Sequence, residues 1–357
     1  MRPGLLALHR WLGLAAGLVL SVVGITGGML AFEPQLMRVI NPEVLVLSPV
    51  PGKLLSADAL LTAARRQLPG RPLQSLVVSM DRTMPAQIVE ALPGKPRGKT
   101  HRLHPVTGRL LPLPRGDGVF HFVEDVHRKL LAGDVGKVIT GVSSGMLLFL
   151  TLSGLWLRLR TRPSLRRWLL VTPGLRGRGR LWQWHAVAGS WAALLLMFSA
   201  VTGLWWSWTP WKQGLQQLLS AEAPAPLPTS VTFPAITPEA LAHLLQPHQA
   251  WLVGLDHVLL SIDLRAAVDG KLLLEALPRD ARHERARDLV EITADSDVPV
   301  VRPYKEKPWG VQAVSAWKLV HTGRLWGWPA QLALMLSSLA MPVLLWLGWR
   351  LHRTRPR

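Results

Sequence analysis

Hydrophobic and polar positions separate along this chain into four long apolar blocks and the mixed segments between them. Residues 11–32, 138–157, 186–211 and 325–349 contain no Asp, Glu, Lys or Arg. About 20 apolar residues in helical form cross a bilayer core. The blocks therefore predict four transmembrane helices, at 11–32, 138–157, 185–211 and 325–349. The first is too long for the apolar region of a signal peptide and has no clear small-residue cleavage site after it, so it reads as a retained span.

Between the spans the pattern shortens. "LSADALLTAARRQL" and "ITPEALAHLLQPH" each open with a hydroxyl residue followed by an acid, a helix start signal. Short alternating or apolar runs follow: "LQSLVVSM", "AQIVEAL" and "THRLHPVTGRLL" in the first connection, "AWLVGLDHVLLSIDLRAAVDGKLLLEAL" in the second. With "PVTG" and "AVDG" as turns, each connection reads as an α+β domain, at 33–137 and 212–324.

The chain also repeats itself. A shift of 176 puts His9 on His185, Gly13 on Gly189, Thr26-Gly27 on Thr202-Gly203 and Pro34 on Pro210. A shift of 194 puts His127 on His321, Gly133 on Gly327, Ser144 on Ser338 and Gly154 on Gly348. The expected fold class is thus an integral membrane α-helical protein, with four transmembrane helices in two parallel repeats and two extracytoplasmic α+β domains.

Charge orients this plan. The net charge of +19 could point to nucleic acid, but its placement points to topology. Arg158–Arg180 holds eight arginines and no acid, and the tails 1–10 and 350–357 are also basic. All 22 acids lie in 33–137 and 212–324. Short basic segments stay cytoplasmic, so both tails and the 158–184 loop are expected in the cytoplasm of a bacterial inner-membrane protein. Both long loops are then periplasmic, lipid is the surrounding partner and no nucleic acid is expected. The absence of cysteine removes disulfides, iron–sulfur clusters and thiolate zinc.

Four of the twelve histidines occupy repeated positions at span ends. His9 and His185 open two spans on one face; His127 and His321 precede the other two on the opposite face. Two imidazoles at one depth are what bis-histidine ligation of haem iron requires. Two b-type haems are therefore expected, with these four residues as axial ligands and His121 as a substitute for His127. Gly13 and Gly17 share a helix face with His9, as Gly189 does with His185, leaving room for a flat porphyrin. Arg10 and Arg324 are candidates for its propionates. His101 and His104 are three apart in a strand, on opposite faces, a poor metal site. "GLRGRGR" lacks the strand and spacing of a phosphate loop, and no nucleotide or flavin fingerprint occurs, so electrons must come from another molecule.

"LHRWLGLAAG", "VHRKLLAGDVGK", "WHAVAGS" and "VHTGRLWG" resemble the four histidine motifs of PepSY-associated transmembrane proteins, bacterial inner-membrane proteins often linked to iron uptake. "HRLHPVTGRLL" resembles the turn of PepSY modules, although an acid often precedes the proline there. The resemblance spans nearly the whole chain. It implies PepSY-like loop domains and, from members that are ferrisiderophore reductases with two b haems, a ferric-chelate reductase with His9, His185, His127 and His321 as ligands. The substrate would be a ferric siderophore or other ferric chelate, and the donor a quinol or a cytoplasmic reductase. The rival expectations are a haem-free envelope protein binding a peptidase or signalling partner, and a subunit of a chelate-uptake complex.

Overall fold

The structure, a computed structural model, describes residues 2–48, 51–92, 98–161, 164–219, 236–265, 271–293, 295–296 and 298–355; the expected "AVDG" turn at 267–270 lies outside them. The chain begins with α1 (Arg2–Ala31), α2 (Glu33–Ile40), α3 (Pro42–Leu45) and α4 (Ala57–Gln67), then β1 (Leu73–Ser79), β2 (Ala86–Glu90) and β3 (Lys99–Leu103). Next come α5 (Asp117–Lys129), α6 (Gly133–Leu159), α7 (Leu165–Leu169), α8 (Gly177–Ser207) and α9 (Thr209–Leu218). α10 (Pro238–Leu245) and α11 (Gln249–Gly254) precede β4 (His257–Asp263), β5 (Lys271–Pro278), β6 (Asp288–Thr293) and β7 (Val300–Arg302); α12 (Trp309–His321) and α13 (Trp328–Arg353) follow. The chain divides into a helical unit (Met1–Glu33, Gly118–Leu219, Trp317–Arg357) and a sheet unit (Pro34–Asp117, Ser220–Ala316).

In the helical unit α1, α6, α8 and α13 are long and apolar enough to cross a membrane. Each is longer than its charge-free block, because helical hydrogen bonding continues through end residues such as Arg10, Arg158 and Arg350. Long basic side chains at such ends can carry their charge toward water. α1 and α8 each pack against α6 and α13, so α1 and α8 face each other along one diagonal of the bundle. Small residues set the approach. Pro342 inside α13 has no N–H for the Ser338 carbonyl, and Gly24 of α1 lies there: a Cβ on it would stand 2.5 Å from that oxygen. The hydroxyls of Ser21, Ser144, Thr151 and Ser337 donate to carbonyls three or four residues back in their own helices, a packing role.

In the sheet unit the two connections, expected as separate domains, share one antiparallel sheet of order β3-β2-β1-β4-β5-β6-β7. β1 and β4 join them, with Leu76 opposite Ile262 and Val78 opposite Leu260. Two separate sheets would each leave an unpaired edge of backbone groups, and this pairing satisfies both. α4 and α10 pack together and share one core with the sheet, Leu60, Leu61 and Leu241 meeting Leu76, Ile88, Ile262, Leu274 and Ile292. Thr237 caps α10 by accepting from the Ala240 N–H at 3.2 Å, whereas Ser56 before α4 makes no such bond. Asn41 is fully buried and bonds both backbone groups of Arg115, tying the start of the first connection to its end.

Candidate functional site

α5 and α12 each deliver a histidine from their last turn. Leu130 and Leu131 reverse the chain after α5 with positive φ angles, and Gly323 does the same after α12. His127 and His321 thereby meet, ring centroids 6.5 Å apart at an interplanar angle of 48°. His9 of α1 and His185 of α8 meet across the bundle diagonal at 6.4 Å and 86°. His127 bonds Thr26, far along α1 from His9, so the two pairs lie near opposite ends of that helix. His121 is exposed on α5, and His127 is the residue that faces His321.

A carbonyl fixes the tautomer of His127, and hydroxyls already directed to helix carbonyls suit the same tautomer at His9 and His321. Ser153 Oγ donates to the Leu150 carbonyl and so accepts from His9 Nδ1–H at 2.8 Å. Thr202 Oγ1 donates to Phe198 and accepts from His321 Nδ1–H at 2.8 Å. The Val23 carbonyl accepts from His127 Nδ1–H at 3.0 Å, with Thr26 Oγ1 at 3.3 Å. With the proton on Nδ1, the lone pair is on Nε2 in all three. Burial pushes His127 and His321 below the ordinary imidazole value of 6.5, His321 to about 3, with the neighbouring His127 adding to its shift. Both rings are therefore neutral at neutral pH. His185 differs: its Nδ1 is buried with no partner in hydrogen-bonding geometry. The 194 shift puts Ser153 on Leu347, which offers no acceptor in its side chain.

The repeated glycines are where the rings lie. A Cβ on Gly27 would stand 2.9 Å from His127 Cε1, on Gly203 3.4 Å from His321, on Gly154 3.3 Å from His9 and on Gly348 3.7 Å from His185. The glycines expected to leave room for a porphyrin fare unequally. Gly17 also borders the cavity beside His9 and His185, and the Leu345 side chain of α13 lies against it, where a Cβ would stand. Gly13 and Gly189 are looser, with Leu150 and Leu344 at 3.6 and 3.8 Å from a Cβ.

A cavity of about 510 Å³ opens beside His9 and His185, also bordered by Gly13, Gly189, Gly154 and Gly348. That volume lies within the range of about 300–1,000 Å³ usual for small-molecule sites. Its lining is mostly apolar, with Arg10, Arg158, Arg178, His352 and Arg355 and no acid among the described residues. Sequence reasoning named Arg10 but missed Arg158 and His352. The signal was available, since the 194 shift places one on the other. Arg324 lies in the single turn Arg324–Trp326 between α12 and α13.

The donors fit haem better than a bare ion. Imidazole nitrogen binds a metal at about 2.0–2.1 Å, so two rings on one metal have centres about 6.4 Å apart. Each pair has that spacing. No group of three or more His, Asp or Glu able to hold a metal occurs among the described residues. Two imidazoles alone are too few for a bare ion, whereas a porphyrin brings four nitrogens of its own. His101, by contrast, pairs with Glu90 at 2.8 Å, and His104 Nδ1 accepts backbone N–H groups of its turn, which leaves the H-x-x-H without a metal role.

Four helices long and apolar enough to cross a membrane, with one histidine pair on two of them and a second on the short helices α5 and α12, define this as a membrane protein. The chain belongs to the PepSY-associated TM region family, whose model matches residues 6–355. Comparison with curated proteins gave no significant match.

Proposed function

We propose that this protein is a dihaem b-type oxidoreductase of the bacterial inner membrane that reduces Fe(III) in a siderophore or other chelate at the periplasmic face. One observation carries the reading: two histidine pairs at opposite ends of the bundle, each at the spacing of two rings on one iron, with Nε2 of His9, His127 and His321 left as a lone pair. In this reading the two halves are parallel repeats, the termini and the arginine-rich loop are cytoplasmic, and the sheet unit is two PepSY-like modules facing the periplasm.

Haem bound at each pair supplies reversible one-electron chemistry. The chain's own part is to hold His9, His127 and His321 by their Nδ1–H bonds, seat all four rings beside glycines, and bury them in apolar surroundings. A quinol or cytoplasmic reductase gives electrons at the His9/His185 end, and each Fe(III) takes one electron at the other. Hard oxygen chelators hold Fe(II) far more weakly, so the metal is released. No side chain need act as acid or base.

The test is the absorption spectrum of detergent-purified protein, oxidised and dithionite-reduced, with haem counted per chain. Two equivalents of low-spin b haem, and loss of chelate reduction in His127→Ala and His321→Ala, are expected. A colourless protein from haem-replete cells overturns the reading in favour of a haem-free envelope protein binding a partner.

A further inference from the structure

Four buried nitrogens without a hydrogen-bond partner line the cavity beside His9 and His185: Arg10 Nε, Arg158 Nε, His352 Nδ1 and His185 Nδ1. Such groups are rarely left unsatisfied, and here they gather around one cavity. Arg158 is 6% exposed, in the last turn of α6. Its guanidinium lies over Trp182 and Trp168 at 5.2 and 5.8 Å, and it donates to the Arg167 carbonyl. Among the described residues no acid borders the cavity to pair with it. A buried guanidinium without a carboxylate partner is complementary to an anionic ligand.

The rest of the lining specifies what kind of anion. Arg10 stands in the third turn of α1, Arg158 in the last turn of α6 and His352 in the last turn of α13, beside Trp11 at 5.3 Å. The walls between them and the histidine pair are leucine, alanine and glycine. The ligand that fits has an apolar body reaching His9 and His185 and carboxylates at the basic end. We propose that Arg10, Arg158 and His352 form an anion clamp for the carboxylates of a porphyrin held by His9 and His185, an inference that rests on the dihaem reading above. A phospholipid phosphate is the other anion with matching chemistry, and the experiment separates the two.

Full-length protein in detergent is assayed for haem per chain, for the rate of haem release to excess apo-globin, and for bound phosphorus. Arg158→Gln and His352→Leu are each expected to release one of two haems about tenfold faster, the scale of a lost charge-assisted hydrogen bond. Arg158→Lys keeps the charge and is expected to retain haem close to wild type. Adding His127→Ala should leave only the fast-releasing haem, assigning it to the His9/His185 pair. Two haems released at the wild-type rate from both variants overturn the clamp and leave the dihaem reading standing. Equal loss in Arg158→Lys and Arg158→Gln assigns the effect to packing on the tryptophans and overturns it. Loss of phosphorus with haem release unchanged assigns the rim to lipid and overturns it too. A wild-type protein without haem removes the dihaem reading itself.

Discussion

The ring of His127 lies so close to Gly27 that a Cβ there would stand 2.9 Å from its Cε1. The same relation recurs at Gly154, Gly203 and Gly348, at 3.3, 3.4 and 3.7 Å. The missing side chains at Gly27 and Gly154 make room for His127 and His9, whereas a Cβ at Gly203 or Gly348 would stand at ordinary contact distance from the ring beside it. Alanine substitutions should displace the ring most at Gly27, less at Gly154 and little at Gly203 and Gly348. Gly27→Ala is expected to lose most haem at its pair and Gly348→Ala least, as read from the reduced absorption bands per chain. An equal effect at all four positions would show that the glycines serve helix packing alone.

The two threonines near the second pair differ in what stands behind them. Thr202 is the acceptor for His321, whereas His127 keeps the Val23 carbonyl when Thr26 is removed. Partners that orient a ligating histidine are worth about 10–100-fold in affinity. We expect Thr202→Val to weaken haem retention by about that factor and Thr26→Val by much less. Competition with an apo-globin acceptor measures both.

His9 has a hydroxyl acceptor in Ser153, and His185 has Leu347 at the repeated position. A hydrogen bond from Nδ1–H makes the imidazole more basic and favours ferric iron. Leu347→Ser is therefore expected to lower the midpoint potential of the haem at this pair and Ser153→Ala to raise it. Redox titration of the full-length protein reads both signs, and shifts in the same direction would contradict the argument.

The sheet unit carries its own pH dependence. Arg71 and His101 hydrogen-bond Glu90, whose side chain is 4% exposed, and hold its carboxyl below the ordinary value of 4.5. Because the folded value is the lower one, this stabilisation is complete above the unfolded value and is lost as pH falls through the folded one. Hydrogen-exchange protection factors at β2 and β3, which remove the intrinsic pH dependence of the exchange rate, should be flat near neutrality and fall in acid below that range. Glu90→Gln should remove the acid dependence and cost about 1–3 kcal/mol, mostly from the buried His101 contact, since Arg71 is half exposed.

Much of the helical unit was legible in the chain. Charge-free blocks of twenty or more residues have few soluble uses, and the two shifts matched histidine with histidine before any geometry was known. The glycines were legible as repeats but not as partners, because identity at an offset carries no information about which helix will face it. Gly17 is an example: it borders the cavity as its place on the His9 face suggests, but its contact with Leu345, from the last helix of the chain, has no signal in the sequence. The single sheet was missed because local patterns mark strands and not which of two distant strands pair at an edge.

Composition and periodicity by themselves determined the four spans, the histidine set and the basic segments, since each is a property of consecutive residues in water or lipid. Tertiary structure decided which rings meet, which partners the Nδ1 atoms of His9, His127 and His321 find, and that Arg158 and His352 join Arg10 at one cavity. Those outcomes depend on helix rotation and diagonal packing in the bundle, where a side chain's partner is set by close contact across the fold and not by its place along the chain.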